Sequence, residues 1–164
     1  MLALLQELGR HEVHFTGAHA IVALVAAGVT ALCVQFHYKV MSMVSLSLPR
    51  LRKQRRPRIV IVMLTMLAAH IAEIWFFGMT YCILDRYPSL GTLDGQLQEG
   101  LSDFVYFSAS TYTTLGYGDF TPAGAMRVLS GTEALVGIGM ITWTASLLFL
   151  EMQRDWAEFR RPQE

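Results

Sequence analysis

Three long apolar runs decide most of what this chain can become. Residues 15–38 contain no Asp, Glu, Lys or Arg, residues 59–84 contain one carboxylate, Glu73, and residues 128–150 contain one, Glu133. About 20 helical residues cross the ~30 Å hydrocarbon core of a bilayer, so each run is long enough to span it. Only 16% of the residues are charged, against about 25% in soluble domains, and the deficit is concentrated in these runs. The expected fold is an all-α membrane protein with three spanning helices. The first run exceeds the apolar core of a cleaved signal peptide and its basic flank is Arg10 alone, so it is expected to be retained. Its Ala23, Ala27 and Ala31 stand at four-residue spacing, a ridge that lets helices approach closely in lipid, unless it reflects only alanine's helix preference.

Orientation follows from charge. Between the first two runs, six of the nine residues 50–58 are basic: Arg50, Arg52, Lys53, Arg55, Arg56 and Arg58. The positive-inside rule makes that loop cytoplasmic, and its place between two spans argues against a nucleic-acid patch. The N-terminus is then external and the tail cytoplasmic, with Arg154, Arg160 and Arg161 near the membrane and Trp156 as an interfacial anchor. The expected organisation is an N-terminal segment and first span (1–48), a basic loop (49–58), a module built on the second and third runs (59–150) and a short tail (151–164). Cys33 and Cys82 fall toward opposite faces, so they are expected to be small apolar packing residues rather than a disulfide.

Between the second and third runs, residues 85–100 are rich in turn formers: Pro88, Gly91, Gly95 and Gly100. Residues 102–113 read as a helix capped by Ser102, too short to cross a bilayer and suited to a re-entrant position. Irregular backbone follows it, Thr113-Thr114-Leu115-Gly116-Tyr117-Gly118-Asp119. Such backbone is tolerated at membrane depth only where it lines water or protein. Successive carbonyls of Thr114, Leu115, Gly116 and Tyr117, repeated around an axis, would form oxygen cages for a dehydrated cation. Glycines at alternate positions permit the dihedrals that such a carbonyl row requires. The Thr114 hydroxyl adds an oxygen layer, and the negative C-terminal end of the short helix favours a cation beside it.

This seven-residue string resembles the signature filter of the potassium channel family, with leucine in place of the commoner valine. The resemblance runs from the second span to the third, about two thirds of the chain. It implies a homotetramer in the cell's inner membrane, a filter at Thr114, Leu115, Gly116, Tyr117 and Gly118, and potassium as the permeant ion with no cofactor and no enzymatic activity. Thr113 would border the inner cavity, Asp119 would sit behind the outer mouth, and Pro122 matches a proline that often follows the filter. Gly137 or Gly139 would be a hinge in the inner helix, with close helix packing as the competing reading. Ile138, Ile141, Ala145 and Phe149 would face the axis, and a ring of Phe149 side chains would close the pore by dewetting. Many relatives buttress the filter with two tryptophans; here Tyr106 and Phe107 replace them, and Tyr106 is expected to reach Asp119. Ser110 stands where some relatives carry glutamate, so a carboxyl pair with Asp119 is absent.

Asp85, Asp94, Glu99, Asp103 and Asp119 outnumber Arg86 and Arg127 on the external side, giving a negative mouth. No helix carries arginines at every third position, so a voltage sensor is not expected, nor is a cytoplasmic ligand-binding domain in the tail. His70 and Glu73, one turn apart in the second run, lie at a depth similar to Glu133. Carboxylates at that depth turn inward to partners, so His70 is expected to pair with Glu133 or Glu73 and to brace the two spans. Titration of this cluster would make gating pH-sensitive. Other readings stay open: a non-selective cation channel, an accessory subunit in a mixed tetramer, and a membrane metal-binding protein using His11, Glu12, His14 and His19.

Overall fold

The computed structural model describes residues 17–47, 55–95 and 100–159. Helix α1 is Gly17–Ser47, α2 is Arg55–Leu84, α3 is Leu101–Tyr112 and α4 is Met126–Phe159. The three long helices are those with the length and apolarity to cross a membrane. A 3-10 turn, Pro88–Leu90, and two short strands, β1 at Leu93–Gly95 and β2 at Phe120–Pro122, occupy the segments around α3. The strands pair antiparallel, with Leu93 opposite Pro122 and Gly95 opposite Phe120.

Each long helix buries one stripe at helical spacing. On α1 it is Val22, Ala26, Cys33, His37 and Met41; on α2, Val62, Met66, Ala69, Glu73, Phe77 and Tyr81; on α4, Leu129, Glu133, Val136, Met140, Thr144 and Glu151. Outward faces carry Leu24, Met63, Leu64, Leu67 and Ile71, each at least half exposed. An apolar surface on this scale is unsuited to water and suited to lipid. Thr65, Thr80, Thr132, Thr142 and Ser146 return their hydroxyls to their own helix carbonyls four residues back, which removes the cost of an unpaired donor in hydrocarbon.

The short helix α3 is wedged between α2 and α4 at two glycines. A Cβ on Gly78 would lie 2.9 Å from the Val105 Cα, and one on Gly137 would lie 2.0 Å from the Tyr112 carbonyl oxygen. Backbone therefore meets backbone at both crossings. Helix α1 packs against both α2 and α4. At the end remote from α3, the buried Glu151 carboxylate accepts from Arg58 of α2 and, at 2.7 Å, from Arg154.

Two local expectations are corrected. The packed face of α1 is not the alanine ridge: Ala27 and Ala31 are exposed, and the contact runs through Ala26, Cys33 and His37 instead. Larger side chains at Val22, His37 and Met41 fill the groove that α2 and α4 leave, which alanines would not. Helix α3 begins one residue earlier than Ser102, with Gly100 in extended conformation as its N-cap and no side-chain cap bond. The basic residues Arg50, Arg52 and Lys53, together with His11, Glu12, His14, Glu99, Arg160 and Arg161, lie outside the described residues.

Candidate functional site

The segment after α3 is held by its amides. Leu115 N–H donates to the Ser110 carbonyl at 2.8 Å, Gly116 N–H to the same oxygen at 3.3 Å, and Tyr117 N–H to the Ser110 hydroxyl at 3.4 Å. No peptide bond here is cis. In a planar trans peptide the N–H and the preceding C=O point in opposite directions. Turning these three amides onto Ser110 therefore turns the carbonyls of Thr114, Leu115 and Gly116 away from α3, to the exposed side.

Backbone signs agree. Thr114 and Gly116 have φ of 58° and Gly118 of 83°, while Leu115 and Tyr117 are not left-handed. Alternating hand along the chain sets successive peptide groups facing the same way, as in nests whose amides bind anions; here the amides face Ser110 and the carbonyls face the exposed side. Thr114 is the single non-glycine residue with positive φ among the described residues. Its amide bond to the Thr111 carbonyl at 2.9 Å and the Leu115 bond that follows hold it there. The whole stretch 113–119 is exposed. The Thr113 hydroxyl returns to the Ala109 carbonyl at 2.7 Å.

Tyr106 donates to Asp119 Oδ2 at 2.8 Å, as expected, and its ring stacks on Tyr117 at 6.1 Å with 7° between planes. The hydrogen bond to Asp119 pushes the Tyr106 phenol above its ordinary pKa. Phe107 turns the other way and packs edge-on against Tyr81 at 4.9 Å. Aromatic support of the segment thus comes from Tyr106 alone of this pair.

Behind this segment the polar residues fall into two groups. Glu133 does not meet His70: it accepts from Tyr81 at 2.6 Å and contacts the Ser108 hydroxyl, so it joins α4 to α2 and α3. The other group is Glu73, His70, Tyr112 and Thr144, joined by His37 of α1. His70 lies 3.4 Å from Glu73, the pairing expected from their one-turn spacing. His37, Tyr112, Thr144, Tyr81, Ser108 and Gly78 escaped the sequence reading. The one signal for His37 was a polar residue in an otherwise uncharged run, in register with Ala26 and Cys33. Replacing Glu133 with Leu removes the acceptor of the fully buried Tyr81 hydroxyl, at about 1–3 kcal/mol for a buried unmet donor, whereas Ser108 keeps the Ile74 carbonyl at 2.8 Å. Thermal unfolding in detergent should shift down by several degrees for Glu133→Leu and far less for Glu133→Gln; equal shifts would refute the assigned role.

On α4, Ile138, Ile141, Ala145 and Phe149 share an exposed face, opposite Glu133, Met140 and Thr144. The two candidate hinge glycines differ. Gly137 is the contact against Tyr112, whereas a Cβ on Gly139 meets nothing within 4 Å.

A family model described as "Ion channel" matches residues 59–154, well over half of the chain. The chain belongs to this ion channel family. The match is the pore-domain family to which the filter string pointed, and it makes the chain a membrane channel rather than an enzyme. Protein LctB of Geobacillus stearothermophilus is 37% identical over 67 residues, covering 37% of this chain and 50% of the relative. The chain thus spans about half the length of that curated relative. No solved structure matches. All of α3, the segment 113–119 and nearly all of α2 and α4 fall inside the channel match, while α1 with His37 falls outside it.

Proposed function

We propose that four copies of this chain surround a common axis in the cell's inner membrane and conduct potassium selectively through residues 114–118. The reading rests above all on the backbone of that segment: three successive amides tied to Ser110, with carbonyls on the opposite, exposed edge. One protomer offers oxygens on one side of an ion only. A dehydrated cation needs them on all sides, so a ring of copies completes the site. In this reading residues 59–150 are the pore module, Ile138, Ile141, Ala145 and Phe149 line the inner pore, and the apolar faces of α1 and α2 meet lipid. The basic loop 49–58 and the tail face the cytoplasm and the N-terminus lies outside.

Planar-bilayer recording of the purified protein tests this directly. With potassium and sodium opposed, the reversal potential should follow potassium, about 59 mV per tenfold gradient of a monovalent ion. A reversal near zero would mean a non-selective cation channel. The acidic external loops give a second test. Neutralising Asp94 and Glu99 together should lower single-channel conductance about twofold at ~0.01 M salt, where the Debye length is ~30 Å, and leave it nearly unchanged at ~1 M, where it is ~3 Å. An equal loss at both ionic strengths would indicate damage to the loop instead.

A further inference from the structure

Five side chains from all four helices close into one hydrogen-bonded ring. His37 Nδ1 meets Glu73 Oε1 at 2.9 Å; Glu73 Oε2 meets the Tyr112 hydroxyl; Tyr112 meets His70 Nδ1 at 2.9 Å; His70 Nε2 meets the Thr144 hydroxyl at 3.0 Å; and Thr144 meets His37 Nε2 at 3.2 Å. Glu73, His37, Tyr112 and Thr144 are buried and His70 is nearly so. Tyr112 ends α3, two residues before Thr114, and its carbonyl rests on Gly137. Whatever loosens this ring loosens the foot of the filter segment.

The ring has a proton number. Each of its five links needs one proton between two heavy atoms. Tyr112 and Thr144 bring one each, and a neutral histidine brings one each. The fifth proton sits either on the Glu73 carboxyl or as a second proton on one imidazole. Net charge is zero both ways, which suits a site away from water. With the carboxyl protonated, all links can point one way round: Glu73 to Tyr112, Tyr112 to His70, His70 to Thr144, Thr144 to His37, His37 to Glu73. The reverse sense serves equally. Taking one proton away leaves two acceptors facing each other; adding one crowds two protons into a single link.

We propose that this ring is a proton-counting clamp by which the added helix α1 controls the filter. With five protons it holds the end of α3 in place, and gaining or losing one opens a link and lets the filter foot relax into a non-conducting form. The other titratable groups facing the ring are Cys33 on α1, one turn from His37, and Glu133 on α4, held by Tyr81 and Ser108. The inner-end carboxylate Glu151 lies two turns beyond Thr144 and is occupied by Arg58 and Arg154. Donor atoms of His37, His70 and Glu73 lie within 4.8 Å of one another, close enough for a divalent ion, yet every one of them already takes part in the ring.

The proposal rests on the pore reading above, and potassium flux from proteoliposomes between about pH 4 and pH 10 tests it. Wild type should conduct best in a middle window and fall about fivefold or more on both sides, the scale of one net hydrogen bond. Glu73→Gln is the decisive variant. Its carboxamide accepts from His37 and donates to Tyr112, closing the ring in one sense with neutral histidines and no acid proton to lose. It should keep the acid limb and lose the alkaline one. Both limbs unchanged in Glu73→Gln, or a flat wild-type profile, overturns the clamp. If Glu73→Gln fails to assemble, Thr144→Val must flatten the profile and Thr144→Ser must restore it; a Thr144→Val profile like wild type overturns the clamp as well. Block by micromolar Zn²⁺ that disappears in His37→Phe, with flux indifferent to pH, would make the cluster a metal site and overturn it too. Failure of the pore reading looks different: a reversal potential near zero at every pH.

Discussion

Gly137→Ala should abolish current and impair assembly, while Gly139→Ala should leave both within about twofold of wild type. The two residues are neighbours in one helix with opposite surroundings. At Gly137 the new Cβ would sit 2.0 Å from the Tyr112 carbonyl oxygen and 2.8 Å from its carbon, where even a weak C–H···O contact keeps about 3.3 Å. The obstruction is backbone on both sides, so no side chain can rotate away. Over-packing of this kind costs typically 1–3 kcal/mol per site and more when backbone must move. In the proposed assembly it recurs in every copy. The displaced element is the end of α3, which carries Ser110, Tyr112 and the proposed filter, residues 114–118, together. Gly139 has open space, and alanine gains about 1 kcal/mol of helix propensity there. Electrophoretic or chromatographic assembly assays with flux measurements check the pair. A conducting Gly137→Ala channel would refute the packing role. A Gly139→Ala channel that assembles but opens several-fold less would assign the hinge to Gly139.

That pair shows where sequence reading ran out. Gly-Ile-Gly in an apolar run marks a place where a helix needs small residues, and nothing in one dimension says which glycine faces a neighbour. The same limit applied to Glu133. Its depth matched His70, but depth does not determine how far α4 is rotated about its own axis, and that rotation directs Glu133 to Tyr81 and Ser108. His37 was harder still, because its partners are 36 and 107 residues away. The alanine ridge failed because alanine serves a lipid-facing surface and a tight interface equally well. By contrast the spans were legible, since lipid tolerates long uncharged runs only as helices. The backbone of residues 113–119 was legible because irregular chain of this kind demands glycine at particular positions, and Gly116 and Gly118 do have positive φ.

Gly116→Ala should reduce potassium flux at least a hundredfold while the oligomer still forms. Here space is not the obstacle: a Cβ on Gly116 meets nothing within 4 Å. Conformation is. At φ 58° an L-residue pays roughly 1–2 kcal/mol for the left-handed form, and Thr114 already bears that strain one residue before Leu115. Summed over four proposed copies the extra strain is about 4–8 kcal/mol, and each 1.4 kcal/mol is a tenfold shift in population. The strained conducting form should then yield to one in which residue 116 flips to negative φ. That flip turns the peptide joining Leu115 to residue 116 away from Ser110 and takes the Leu115 carbonyl off the exposed edge. Assembly should survive, because α3 is seated through Gly78 and Gly137, not through residues 114–118. Leu115→Val is the matched control, since its φ is not left-handed and its side chain is exposed; its flux should stay within about twofold of wild type. The measurement is flux through assembled Gly116→Ala oligomers, and normal selective current from them would remove residues 114–118 from the ion path.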